Sequence, residues 1–597
     1  MKKFKVSAVA IVLMIGLMSV SGCSSSNNNT ANTYSKTIQE MTTYINTQIT
    51  NDKVKGLAIA LIDDQLTVLA EGFGNADVAN EIPATADTHF EIGSNSKTFT
   101  GVMIAQLVEK GLINIDEPVT KYLPGFKIGT PLGFTAGNPI TIRTMLTHHS
   151  GIPGDIFNGG FTLEGKPHKT MKEMNQWFLS YLANDYQAFP VDLIGSYSNT
   201  AVALLSDVIA NASSTDFAAN AEALFYKLGM DRTSFDRDSP KVTDNVSKGY
   251  ITGKEAGPFR CNLGTSGSII STVQDMAKYL KMITGNGMGE RGRVMSSTTL
   301  ETMLTNQSTS PPLDFGAKIG FLWQLSDQEL SYAGNLCWHN GSTMTMTSHM
   351  IVLRDHKLAV VVLSNTSEAG SVVANIARQT LKLALEEKTG ITPPAPFVPP
   401  YSPPATWPQA TLDGMSGIYV KSDTTGGYLK INNVAGGLEW MDAGKTVKII
   451  PRENGWLSDT DSQTIQYKFT VVSGRNVMLR DTGNKTGILA EKYSPVAIPD
   501  AWNTRIGFWD AFDLDPADSL LYMPGAGNPT IEIKVADGIL IFNILPAGSG
   551  GTFIIQPVDD TRGYLRGLGR NMGSATQIFT VDGKDELQFL GIRYRKR

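Results

Sequence analysis

The sequence predicts a multi-domain α+β protein: an antiparallel sheet with a helical region, followed by two antiparallel β-barrel-like units. Three observations carry this. Hairpin patterns stand near both ends of the first 390 residues, with helical periodicity between them. Eight prolines fall within the sixteen residues 393–408. Beyond them the texture changes to short alternating runs broken by Gly, Asn and Asp.

The chain begins with Lys2, Lys3 and Lys5, an apolar stretch over 6–20, and Val20-Ser21-Gly22-Cys23. That order of charge, apolar run and small residues is the form of a secretory leader, and it resembles a bacterial lipobox. The resemblance implies a lipoprotein signal peptide over 1–22, a lipid anchor on Cys23, and a flexible tether over 23–34. A plain cleaved leader and a short uncleaved anchor are the alternatives. No later stretch reaches the roughly 18 continuous apolar residues of a second span, so the rest is expected outside the cytoplasmic membrane, tethered to it through Cys23.

The first folded domain is expected over 35–390. A helical pattern over 33–49 leads into two strands, 56–62 and 67–73, joined by Asp63-Asp64-Gln65. A second hairpin, 348–353 with 358–363, precedes a helical run over 372–385. One antiparallel sheet assembled from both ends, with the helical middle covering it, gives every apolar face a partner. The prolines make 391–411 an extended linker. Two β units follow, over 412–497 and 498–597, and they look duplicated. Tyr428 to Ile431 resembles Thr530 to Ile533, Val447 to Pro451 resembles Phe553 to Pro557, and the run ending at Tyr493 resembles the one ending at Tyr594, at offsets of 102, 106 and 101 residues. Two small barrels are expected, with one larger sandwich as the alternative. Trp440, Trp456, Trp502 and Trp509 are read as barrel core.

Composition narrows the functions. Lysine and arginine total 51 against 56 acidic residues, a net charge of -5, so no broad basic field offers itself to nucleic acid. Three cysteines can build neither a disulfide scaffold nor a zinc ribbon. Whether Cys261 and Cys337 pair is left open. The seven histidines contain no His-Glu-x-x-His, so neither metal nor cofactor is expected. His148 and His149 are placed near the active-site loop, in a supporting or a purely structural role. Neither a Gly-rich phosphate cradle nor a Gly-x-Ser-x-Gly elbow is present, which argues against nucleotide enzymes and α/β-hydrolases.

The strongest local signal is Phe90-Glu-Ile-Gly-Ser94-Asn-Ser-Lys97-Thr-Phe-Thr-Gly101. A broad apolar stripe from Phe99 to Leu107, ended by Gly111, makes this a helix with Ser94 in its first turn. Lys97, three residues on, emerges on the same face, and the helix N-terminus favours negative charge at the serine. A free lysine with pKa about 10.4 is neutral in roughly one molecule in 2,500 at pH 7, so base activity requires burial or a positive neighbour. Two more signals follow in order: Tyr197-Ser198-Asn199 opening a helical run over 200–209, and His339-Asn340-Gly341 at a strand edge.

These motifs resemble the serine β-lactamase and penicillin-binding-protein superfamily, in its class C-like branch of D,D-peptidases, D-aminopeptidases and esterases. Met145 to Ile152, Tyr226 to Met230 and Gly264 to Thr272 add to the resemblance, which covers about 35–390. It implies that Ser94 is the acylated nucleophile, Lys97 its proton-relay partner, and Tyr197 the group that takes the serine proton as a stabilised phenolate. It implies further that Asn199 binds the substrate amide and holds the lysine. The N–H groups of Ser94 and Ser342 would form the oxyanion hole, with Gly341 leaving room for substrate along the strand. The third motif departs from class C β-lactamases, where a lysine stands in place of His339. His-x-Gly looks more like D-aminopeptidases and some D,D-carboxypeptidases, which puts efficient antibiotic hydrolysis in doubt. A three-domain layout with lipocalin-like appendages points the same way by analogy.

The expected protein is therefore an extracytoplasmic serine hydrolase cleaving amide bonds of D-amino-acid-containing peptides. The alternatives are a carboxylesterase of the same fold, a weak class C-like β-lactamase, and a non-catalytic envelope binding protein. Expected partners are small peptide, amide or ester substrates, penicillin-type inhibitors, and a membrane through Cys23.

Overall fold

The computed structural model describes residues 34–597 apart from 136, 157, 243, 396–399, 423–425, 443, 460–463, 484, 523–526 and 546–550. The expected leader, Cys23 and all of the tether before Tyr34 lie outside the described residues. Among the described residues, no helix is long and apolar enough to cross a membrane.

Four helices position the site: α1 (Ser35–Thr50), α2 (Ser96–Glu109), α3 (Asn199–Ser213) and α4 (Gly370–Thr389). The main sheet has six strands, β1 (Gly56–Asp63), β2 (Leu66–Asp77), β3 (Ile82–Pro83), β4 (Leu336–Ser342), β5 (Thr347–Leu353) and β6 (Leu358–Ser364). Their spatial order is β4-β5-β6-β1-β2-β3, so β1 from the start of the domain pairs antiparallel with β6 from its end, Ala60 opposite Val361. The expected sheet assembled from both ends is present. Strand β1 reads as a continuous apolar run because both its faces are covered. Leu57, Ile59 and Leu61 point into a layer with α1 and α4. The smaller Ala58 and Ala60 face the helical region, joining Phe99 and Val102 of α2.

Helix α2 differs from the stripe expected of it. Every residue from Ser96 to Ala105 is buried, so α2 is a core helix covered on all sides. Lys97 is consequently fully buried, which an amphipathic helix would not have required.

Two closed eight-stranded barrels follow the linker, their strands running over Gly417–Lys421 to Thr486–Tyr493 and over Gly507–Ala511 to Ile592–Lys596. The three matched segments fall on the second, fourth and eighth strands of each barrel, so the duplication is real and the single sandwich is excluded. Trp440, Trp502 and Trp509 are barrel core, while Trp456 is only partly buried. Cys261 and Cys337 are both free and buried, and burial pushes each thiol up to about 12.

The second barrel is packed onto the first domain. Leu568 and Met572, from the connection between its fifth and sixth strands, share a core with Ala188, Phe189, Ile194 and Leu313. Polar contacts flank this core: Asn158 Nδ2 donates to Gly591 O at 3.1 Å, Gly159 N to Asp518 Oδ2 at 2.8 Å, and Lys169 pairs with Asp515 at 2.6 Å.

Candidate active site

The expected nucleophile lies just ahead of α2. Gly93–Asn95 forms a 3-10 turn and the α-helix begins at Ser96, so Ser94 precedes the first α-helical turn instead of occupying it. The site remains at the positive end of a fourteen-residue helix. Strand β4 crosses this turn at very short range. A Cβ on Gly341 would sit 2.0 Å from Ile92 O and 2.4 Å from Ser348 Oγ, and one on Gly93 would sit 2.7 Å from Ser342 N. The bare position at Gly341 therefore admits the turn that carries Ser94. The same crossing brings Ser342 N beside that turn. Ser348 locks the arrangement, accepting from Asn95 Nδ2 at 2.7 Å and donating to Ile92 O at 2.8 Å.

Lys97 Nζ stands 3.1 Å from Ser94 Oγ and 2.6 Å from Asn199 Oδ1, and it also donates to the carbonyl of Ser266. Burial above all, with help from the positive charge of Arg570, drives its pKa well below the ordinary lysine value. The amine is thus within reach of the serine proton and biased toward its neutral, basic form. Tyr197 completes the group, its ring centroid 4.9 Å from Lys97 Nζ. Burial raises its phenol pKa, and a hydrogen bond with Ser94 and the charge of Arg570 oppose this only in part. Desolvation of the anion outweighs the donors around it, which favours the protonated phenol.

The Tyr197 segment is held from both sides. Ser196 N donates to His148 O at 2.8 Å and Ser198 N to His148 Nδ1 at 3.2 Å. The His148 ring also packs on Tyr197, centroids 4.3 Å apart. His149 Nε2 lies 2.6 Å from Asp314 Oδ2, and Asp314 Oδ1 accepts from Gly195 N at 2.6 Å. Both histidines support the Tyr197 loop. His339 is buried on β4 with its ring 6.5 Å from Tyr197. Its Nδ1 is 2.6 Å from Asn340 O. A carbonyl only accepts, so Nδ1 carries the proton and Nε2 is an acceptor. Burial, then Lys97, pushes the His339 pKa down to about 3, so this position carries no positive charge near neutral pH.

The structure brings Ser94, Lys97, Tyr197, Asn199, His339, Gly341 and Ser342 together. It adds two residues the sequence reading missed. Asp155 accepts from Asn199 Nδ2 at 2.8 Å, and Arg570 of the second barrel grips it through Nε and Nη2 at 2.7 and 2.9 Å. The Arg570 guanidinium lies 4.9 Å from the Tyr197 ring centroid. The available signal was Gly567-Leu-Gly-Arg570-Asn-Met-Gly573, three glycines in seven residues between two barrel strands. Among the described residues, no cluster of His, Cys, Asp or Glu is arranged to hold a metal ion.

A buried lysine held toward its neutral form beside a serine at a helix N-terminus, with a tyrosine just ahead of a second helix, an asparagine at that helix's start and a strand closing the third side, is the serine-hydrolase constellation of the β-lactamase and penicillin-binding-protein class. Residues 37–385 match the beta-lactamase family, and the chain belongs to it. Beta-lactamase-like protein 2 of Dictyostelium discoideum is 28% identical over 297 residues, 47% of this chain and 50% of that protein. Penicillin-binding protein 4 of Amycolatopsis lactamdurans is 26% identical over 373 residues, 59% of this chain and 91% of that one. This chain thus spans about half the length of the first relative and nearly all of the second. The octameric penicillin-binding protein homologue from Pyrococcus abyssi matches with a TM-score of 0.51 and 25% identity, covering 76% of this chain and 99% of that one.

Proposed function

We propose that the chain hydrolyses amide bonds of D-amino-acid-containing peptides through an acyl-enzyme on Ser94, as a D-aminopeptidase or D,D-carboxypeptidase type of enzyme. The observation that carries this is the buried Lys97 Nζ, 3.1 Å from Ser94 Oγ and held toward its neutral form. Neutral Nζ takes the proton of Ser94 Oγ as the oxygen attacks the carbonyl carbon, and the resulting oxyanion is received by the N–H groups of Ser94 and Ser342. The Tyr197 phenol gives its proton to the departing nitrogen and is refilled from the Lys97 ammonium. Water then repeats the sequence on the ester, returning Ser94, Lys97 and Tyr197 to their starting forms. Relatives named as penicillin-binding proteins support the peptide reading and suggest penicillin-type compounds as acylating inhibitors.

Intact-mass analysis with a labelled penicillin tests the acyl-enzyme. One adduct on Ser94, absent in Ser94→Ala, is expected; no adduct with penicillin or with a fluorophosphonate would leave a scaffold without catalysis. D-alanyl amides, D-alanyl-D-alanine peptides and short esters compared side by side then set the substrate class, and dominance of the esters would replace the peptidase reading by a carboxylesterase. We also propose that Cys23 anchors the enzyme to the outer side of a bacterial membrane. Labelling with a palmitate analogue that persists in Cys23→Ala would refute the anchor.

A further inference from the structure

We propose that Arg570, carried by the second barrel, is the anion-binding residue of this active site, and that it holds a free carboxylate of the substrate in the role that a lysine on β4 would otherwise fill. The inference rests on the hydrolase reading above and narrows it toward peptides with a free C-terminal carboxylate.

A peptide carboxylate entering this site needs a cation, and two of the three candidates are unavailable. His339 is left with only an acceptor nitrogen once Nδ1 is committed to Asn340 O, and with its pKa pushed down to about 3 it stays neutral. Lys97 is required as a neutral base and is surrounded by Ser94 Oγ, Asn199 Oδ1 and Ser266 O. Arg570 remains. A guanidinium does not lose its proton in a protein, and its planar fork matches a carboxylate.

Its pairing with Asp155 does not exhaust it. A carboxylate offers about four acceptor sites, and Asp155 receives four donors: Arg570 Nε and Nη2, Asn199 Nδ2 and Asn571 Nδ2. Asp155 is therefore saturated and serves to orient the guanidinium. Among the described residues Arg570 Nη1 donates to no protein acceptor, which leaves its two hydrogens for a ligand. The same saturation argues against an ammonium-bearing substrate end, which would find Asp155 occupied and a fixed positive charge beside it.

The carrier loop is fixed in place. Leu568 and Met572, on either side of Arg570, are fully buried against Ala188, Phe189, Ile194 and Leu313. Ser196 Oγ donates to Gly569 O at 3.2 Å, tying the loop to the segment that carries Tyr197. The cost of ordering a long side chain has thus been met before substrate arrives.

The test compares acetyl-D-alanyl-D-alanine with its C-terminal carboxamide on the full chain. Wild-type enzyme is expected to prefer the carboxylate at least thirtyfold in kcat/KM. Arg570→Gln should collapse that ratio to near one, mainly through KM, and Arg570→Lys should leave an intermediate value. An unchanged ratio, or an equal fall for both substrates, overturns the proposal; the equal fall would make Arg570 a positioning residue for Tyr197. Labelling of Ser94 by an uncharged fluorophosphonate reads the hydrolase assignment separately: a wild type that does not label fails that assignment, whereas one that labels without carboxylate preference fails only the anchor. Should the variants not fold, wild-type protection of Ser94 from the probe decides. At least tenfold tighter protection by the carboxylate form supports the anchor, and equal protection by both forms overturns it.

Discussion

Asn199 Oδ1 accepts a hydrogen bond from Lys97 Nζ at 2.6 Å, while the other edge of the same amide donates to Asp155 at 2.8 Å. The amide's orientation is thereby fixed at both ends, and with it the position of the buried amine. An asparagine with one free edge could rotate and offer Nζ a donor in place of an acceptor.

The first prediction concerns Lys97. Its pKa is lower in the folded chain than in the unfolded one, so below pH 10 or so the unfolded state binds the extra proton and folding is opposed, each unit of depression costing about 1.4 kcal/mol. Lys97→Met keeps the volume and removes the amine. Ser94 acylation is expected to fall at least a thousandfold while Tm near pH 7 holds or rises by a few degrees. That Tm advantage should shrink as pH approaches 10, because wild type recovers the cost there. Scanning calorimetry across pH, paired with acylation rates, checks both halves; a variant much less stable than wild type at pH 7 would contradict the neutral, desolvated amine.

The second concerns buried imidazoles. Burial drives His148 well below its ordinary value, and His339 and His349 down to about 3. A depressed histidine keeps its full stabilising effect above the unfolded pKa near 6.5 and loses it as pH falls from there toward 3, at up to about 1.4 kcal/mol per pH unit for each group. Tm should drop steeply between pH 6.5 and 4, while above pH 7 the histidines add no slope and only the rise owed to Lys97 remains. His349 stacks on Trp338 at 5.3 Å and lies opposite Asn340 in the β4–β5 register, so His349→Gln is a local probe. It should flatten the acid slope, and an unaltered slope would remove His349 from the explanation.

What the sequence could and could not disclose follows from the range of each interaction. Helix spacing puts Ser94 and Lys97 on one face, but it was the resemblance of the three motifs, in their order along the chain, to a known family that picked out these two residues with Tyr197 and Asn199. The duplicated barrels were legible because matched strands recur at nearly constant offsets. Asp155 and Arg570 are separated by 415 positions, and an ion pair closed by docking a barrel leaves no periodic mark. The burial of Lys97 was equally invisible, since the neighbours that surround α2 come from distant segments. The contact of Gly341 with Ile92 and Ser348 was likewise invisible, because a missing side chain shows that something approaches, but not what.

The third prediction follows from that glycine. In Gly341→Ala the added carbon would lie 2.0 Å from the Ile92 carbonyl and 2.4 Å from Ser348 Oγ, with no flexible side chain to yield at the carbonyl. Strand β4 would have to move away from the Ser94 turn, widening the gap between Ser342 N and the nucleophile. Loss of well-placed oxyanion donation costs about 10²–10³ in kcat, and overpacking typically costs about 1–3 kcal/mol. A kcat drop of at least tenfold with a lowered Tm is expected in steady-state assays and calorimetry. Wild-type values for both would show that the crossing is looser than these distances.

The fourth concerns the two cysteines that lie among the described residues. Cys337 sits in β4 facing the helical core and Cys261 borders the loop that presents Ser266 O to Lys97. Both thiols are buried and pushed up to about 12, so the nucleophilic thiolate is scarce at pH 8 and reagents have little access to it. In the native protein neither should react with iodoacetamide over hours, while both react in denaturant, and dithiothreitol should leave Tm unchanged because no disulfide joins them. Cys261→Ser is the more informative variant. It swaps a desolvated sulfur for a hydroxyl that needs a partner, next to Ser268, whose Oγ already donates to Cys261 O at 2.7 Å. Acylation of Ser94 should slow by no more than a few fold, through the Asn262–Ser268 backbone that holds Lys97, and a larger loss would mean that this loop is tuned more closely to the amine than its hydrogen bonds imply.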